Sequence, residues 1–259
     1  MKNLTFLKII LKTQCKLNLA FRLSFLVKII AMIIRQGLYI VTWGFFFNKY
    51  VSINGWGFHQ TLAMFGIISF GIGFVELFFH GLREIPFLIE NNQLDNYITQ
   101  PKNILLNVAL SKGNISAISE IIYGLLLLFT SGYLISEFVL IIFILPLSVC
   151  FIFSLYLYLS SIGFFIKNSQ GFIRELYYNA NVIISQPSSA YKTFFKIFTL
   201  TIFPIAYLNY FPVEFLITHQ IKNIFLAYIG SLLFLIFACL FFYKGLKRYE
   251  SNSIISQKY

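Results

Sequence analysis

Four ionisable residues sit inside otherwise apolar runs: Arg35, Glu76, His80 and Glu120. A charge at the centre of a lipid bilayer costs about 3 kcal/mol on insertion scales, so such residues face protein or water rather than acyl chains. Glu76 and His80 are four residues apart, one above the other on a helix. A carboxylate, an imidazole and an arginine could relay protons or hold a charged substrate group. Arg35 lies near the middle of its run and could pair with Glu76 across a helix bundle, because leaving either charge unpaired is costly. Plainer roles exist for the other two. His80 stands at the end of its run, where it can reach lipid headgroups. Glu120 stands near the start of a helix, where a carboxylate suits the dipole.

Other chemistry is missing from the chain. There is no HExxH, GxSxG or GxxxxGK[ST] pattern, so no metalloprotease, hydrolase or nucleotide-phosphate site can be read from it. His59, His80 and His219 lack ligand spacing. Cys15, Cys150 and Cys239 form no CxxC pair and read as small buried hydrophobes. No catalytic residue, cofactor or metal is implied. Gly71 and Gly73 lie within an apolar run, where they suit close helix packing rather than a phosphate loop.

The elements that must carry these residues follow from composition. Of 259 residues, 58% are hydrophobic, 19% aromatic and 11% charged, whereas a soluble domain carries roughly a quarter charged residues. The solvent is therefore lipid. The net charge of +11 is scattered between apolar runs rather than gathered on one face, which points to membrane topology and not to nucleic acid. Six runs approach the roughly 20 residues a membrane helix needs: Leu23–Phe47, Thr61–Leu82, Ile115–Gly132, Phe138–Ile166, Thr193–Tyr210 and Ile221–Tyr243. They are continuous rather than alternating, which excludes barrel strands. The expected fold is all-α, a polytopic integral membrane protein with six spans.

Residues 1–22 place Lys8, Lys12 and Lys16 on one side of a helix and read as an amphipathic helix on the membrane surface rather than a cleaved signal. The six-helix domain is expected over 23–243, followed by a polar tail, 244–259. Lysine and arginine gather in 1–22, 83–114, 167–192 and the tail, while the other connections hold Lys49 alone. Both termini and the two long connections are expected to be cytoplasmic. Pro204 and Pro212 predict that the fifth span breaks or turns back.

One polar stretch interrupts the apolar pattern: "GLREIPFLIENNQLDNYITQPKN", residues 81–103. It is helix-capable from Leu82 to Glu90, turns at Asn91–Gln93 and restarts near Leu94, with a bend expected at Pro86. Arg83, Glu84, Glu90 and Asp95 give it charges with which a short surface helix could meet a partner. Arg174 and Glu175 in the second connection are a weaker candidate contact.

This stretch resembles the first cytoplasmic loop of ABC-2 type permeases, the six-span membrane subunits of bacterial ABC transporters. That loop reads roughly I-x-x-G-x-L-D-x-x-L-x-R-P, matched here by Ile89, Leu94, Asp95, Ile98 and Pro101. "IFPIAYLNYFPVEFL" is similar to the family's paired-proline segment before the last span. Asn92 or Gln93 replaces the usual glycine, and Gln100 the usual arginine; asparagine tolerates the left-handed turn that glycine supplies. The resemblance implies a docking loop in which Arg83, Glu84 and Glu90 join the matched residues. It implies a separate cytoplasmic ATP-binding subunit, a second permease subunit, identical or related, and a place in the bacterial inner membrane among lipid, acting in export. The rival reading is an ion-coupled carrier that uses Arg35, Glu76 and His80 without an ATPase.

Overall fold

A computed structural model describes residues 22–49, 52, 55–186 and 204–249. The expected leader, most of the fifth span and most of the tail lie outside the described residues. What is described is helical throughout. Helix α1 spans Arg22–Lys49, α2 Phe58–Phe79, α3 Gly81–Glu90, α4 Ile118–Thr130, α5 Phe138–Ser161, α6 Gln170–Ile184, α7 Phe211–Thr218 and α8 Ile221–Leu246.

α2, apolar on every side, is the centre of the bundle. It packs on α4 and α5, and α8 packs on α5. Small residues set these approaches. A Cβ on Gly66 would meet the Gly124 carbonyl at 2.9 Å, and one on Gly73 would meet Ile121 at 2.8 Å. Gly71 backs onto Ser148 at 3.0 Å. The glycines inside the second run thus serve close packing, as their setting suggested.

Among the described residues, three helices are long and apolar enough to cross a membrane: α2, α5 with its continuation to Phe164, and α8. The outward side chains of α8, among them Phe225, Leu233 and Leu240, are apolar and exposed, as a lipid-facing surface requires. α1 is similar, with Leu26, Ile33 and Phe45 exposed. It leans on α2 through rings, with Tyr39 and Trp43 6.1 and 6.5 Å from Phe65.

The structure departs from the sequence reading in several places. The second run ends at Phe79, because the chain turns at His80 and α3 begins a new direction. The third run opens with a 3-10 turn, Ile115–Ala117, and gives only a thirteen-residue α-helix before the left-handed Gly132 (φ 83°) stops it. That helix is about 20 Å long. The second connection is not a solvated loop: α6 buries Ile173, Tyr177, Ala180 and Ile184, one face at helical spacing, against α5 and α3. The expected break after the paired prolines is present. Ala206–Asn209 and α7 are separate short helices, with Pro212 starting the second.

Replacing Gly124 by leucine is expected to force α2 and α4 apart at a cost of about 1–3 kcal/mol. The detergent-solubilised protein should then melt at a clearly lower temperature than one carrying leucine at the uncrowded Gly37.

Candidate functional site

The site has two parts that share α3: a helical foot at one end of the bundle and a polar cavity above it. The foot is keyed to the bundle at its first residue. Gly81 N donates to the Lys112 carbonyl at 3.2 Å, and a side chain at Gly81 would strike the Val108 carbonyl. Leu82, Ile85 and Leu94 are fully buried beneath it.

Pro86 lies inside α3. A proline has no amide hydrogen, so the carbonyl four residues back, that of Leu82, loses its helical donor. Ser160 of α5 supplies the replacement: its Oγ donates to Leu82 O at 2.5 Å. The same hydroxyl contacts the Tyr177 hydroxyl, which donates to Tyr156 O at 2.9 Å. One missing amide is thus satisfied by a chain of groups that stitches α3 to α5 and α6.

The foot's charged residues are engaged within the chain. Glu90 Oε1 accepts from Gln170 N at 2.7 Å, a carboxylate at the positive end of α6. Glu84 pairs with Lys112 at 2.9 Å and lies 3.7 Å from His80. Beyond α3, Asn92 takes the left-handed conformation (φ 54°), the turn that the usual glycine would make, and a one-turn helix covers Asp95–Ile98. Ile89 is half-buried, Ile98 is 39% exposed, and Pro101 is exposed. Gln100 bonds Asn107 at 2.8 Å and the Asn96 carbonyl at 2.8 Å, so it braces the loop without the usual arginine's charge. Asn103 bonds the Tyr243 hydroxyl at 3.1 Å and ties the foot to α8. Tyr249, beyond α8, has its hydroxyl pushed up to about 12 by burial and then by the charge of Asp95.

Above the foot, a cavity of about 680 Å³ brings together Arg35, Glu76, Arg83, Glu120, Arg174 and Glu175. Glu76 is almost fully buried and is held twice, by Arg83 Nη1 at 2.5 Å and His80 Nδ1 at 2.5 Å. Arg35 Nη2 instead reaches Glu120 Oε1 at 2.9 Å. This corrects the Arg35–Glu76 pair that the sequence allowed. Arg83 lies just past the turn at His80, seven residues from Glu76 along the chain, and so is the nearer cation. The Arg83 guanidinium also lies 4.8 Å from the centre of the Tyr177 ring and 5.8 Å from that of Tyr156, a cation–π seat. Burial alone would lower its pKa; the Glu76 charge outweighs this, and the net shift is upward. His80 is tied to two carboxylates rather than pointing freely outward. Glu120 occupies the first turn of α4, where the helix dipole favours it.

Sequence reasoning missed Tyr156, Ser160 and Tyr177. Pro86 was the available signal, since it leaves a buried carbonyl that something must satisfy. It also assigned Arg174 and Glu175 to an outer contact, whereas both line the cavity.

Membrane-length helices with an apolar exterior define a multi-pass membrane protein. A family model described as ABC-2 family transporter protein matches residues 33–253. The chain belongs to that family, and it is a membrane transport component. No curated protein and no solved structure matches it.

Two substitutions test the site. Ser160→Ala should cost about 1–3 kcal/mol, because it leaves the buried Leu82 carbonyl without a donor. Ser161→Ala, which removes only a bond within its own helix to Leu157 O, should cost distinctly less in the same melting assay. Glu76→Gln should cost about 1–3 kcal/mol by leaving a half-buried Arg83 without its counter-charge, and adding Arg83→Met should recover part of that loss.

Proposed function

We propose that the chain is the six-span permease subunit of an ABC exporter in a bacterial inner membrane, with both termini cytoplasmic. It works with a separate ATP-binding subunit and a second permease subunit. The ATPase meets the foot around residues 84–101, and nucleotide binding favours one arrangement of the two permeases while hydrolysis releases it.

The observation that carries this reading is the way α3 is attached. It lies at one end of the bundle and is locked at Gly81, at Leu82 through Ser160, and at Arg83 through Glu76. A push on a helix so fixed is transmitted to α2, α5 and α6 instead of being absorbed by a loose loop. The surface left for the partner is the tip, Asn92 to Pro101, including the exposed apolar Ile98. Glu84 and Glu90 border that surface while also fixing the foot's own shape. The full partnering of Glu76 favours this role over the proton carrier, which would need that carboxylate to exchange its proton during transport.

Co-expression with the ATP-binding subunit encoded beside it provides the test. The two should co-purify, and Ile98→Asp should reduce the recovered ATPase at least fivefold without lowering the permease's melting temperature. Undiminished recovery from Ile98→Asp and from Glu84→Lys/Glu90→Lys would overturn the docking assignment. In a cysteine-free background, Asn96→Cys should react with an impermeant maleimide in inside-out vesicles and not in intact cells. The reverse pattern would overturn the topology.

A further inference from the structure

The cavity between α1 and α6 has two unlike walls. On one side stand Tyr39, Phe65, Ile68 and Ile72; on the other stand Arg174, Glu175, Asn181 and Ser185. Its volume, about 680 Å³, falls among those of small-molecule sites, roughly 300–1,000 Å³. Between the walls lie the Arg35–Glu120 pair and, at the foot, the Glu76–Arg83 pair.

The charges on this lining balance. Arg35, Arg83 and Arg174 face Glu76, Glu120 and Glu175, three of each sign. A purely anionic or cationic ligand would meet as many groups that repel it as attract it. A ligand bearing both signs, close together, can use both. Arg174 and Glu175 are adjacent on α6, both are exposed, and neither has an ion-pair partner among the described residues. They offer two opposite charges to whatever enters. Asn181 Oδ1, on the same wall, is buried without a hydrogen-bond partner. Such an acceptor is costly unless a donor arrives. The opposite wall is mainly apolar, with Phe65, Ile68 and Ile72 beside the Tyr39 ring, and suits an acyl or other hydrocarbon tail.

Access follows from the outer position of α1. Among the described residues it meets the bundle through rings on Phe65 and Phe58, through Arg35–Glu120, and through Tyr123 Oη donating to Gln36 O at 3.2 Å. Otherwise its apolar outer face is open to the bilayer.

We propose that this cavity is the cargo site and that the cargo is an amphipathic molecule with an apolar tail and a zwitterionic head. The tail lies against Tyr39, Phe65 and Ile72. The head lies between the Arg174–Glu175 pair and the Arg35–Glu120 pair. The proposal rests on the permease reading above and names its substrate class. It also links cargo to motor, because Arg83 belongs to the foot helix and its guanidinium lines the cavity. A head group that disturbs Glu76–Arg83 is felt by α3.

The test uses the full chain with its co-purified ATPase in phosphatidylglycerol vesicles, doped with a phosphatidylcholine that carries a photoreactive diazirine in its acyl chain. Peptides covering residues 65–72 and 178–185 should be labelled more heavily than the lipid-facing stretch 229–240 of α8. Val182→Trp and Ala31→Trp, which fill the cavity from two sides, should each cut that labelling at least fivefold and leave the α8 labelling unchanged. Ile229→Trp should change neither. Dodecylphosphocholine, with an apolar tail and a zwitterionic head, should compete for that labelling, and its failure to compete overturns the zwitterionic assignment. Dodecyl maltoside, with a similar tail and an uncharged head, should not compete. Cavity labelling no stronger than that of α8, or unaffected by both filling variants, or equal competition by the maltoside, overturns the proposal. An unlabelled cavity with the ATPase still bound overturns the cavity assignment alone. A labelled cavity with no ATPase retained overturns the partnership and leaves a zwitterionic amphiphile site.

Discussion

A carboxylate buried at 5% exposure in an apolar helix must carry its counter-charge with it, and Glu76 does so from its own neighbourhood. Its partners, His80 and Arg83, are the residues at the bend where α2 ends and α3 begins. The ion pair therefore fixes the angle between a membrane-length helix and the foot. A buried pair of this kind contributes little net stability compared with apolar packing, but breaking it is costly. The consequence is specificity of geometry: α3 can turn away from the bundle only if Arg83 is lifted off Glu76 and off the faces of Tyr156 and Tyr177.

The proline in α3 has the same effect by a different route. It removes a donor from a helix that is only ten residues long, and the exposed Leu82 carbonyl recruits Ser160, which in turn engages Tyr177. A defect in local secondary structure becomes a cross-link between three helices. Glu90 at the start of α6 and Asn103 at the end of α8 extend the attachment to the next two elements. The foot is thus heavily cross-braced within the described structure, and a displacement imposed on it reaches the cavity through Arg83.

Much of the foot was legible in the sequence. A polar run between apolar runs, a helical stretch to Glu90, and asparagines able to adopt positive φ are all local properties, and α3 and Asn92 appear where those properties put them. The engagement of its charges was not legible. Glu84 and Glu90 look free in sequence because Lys112 and Gln170 N are 28 and 80 residues away, and only the fold measures that distance. The burial of α6 was not legible for a related reason. Its composition is mixed, and the face that buries Ile173, Tyr177 and Ala180 becomes a pattern only once α5 is present to receive it.

By itself the sequence determined the solvent, the helical class and the long spans α2, α5 and α8, because each depends on hydrophobicity summed along consecutive residues. It also indicated a break at the prolines of the fifth run, since a proline's missing amide hydrogen is a property of covalent geometry. The tertiary structure alone decided that Arg35 meets Glu120, that Glu76 meets Arg83, and that the exposed Arg174 and Glu175 also line a cavity. Electrostatic partners are chosen by distance through space, and in a bundle whose helices can rotate about their axes and shift along them, no linear order of residues specifies that distance.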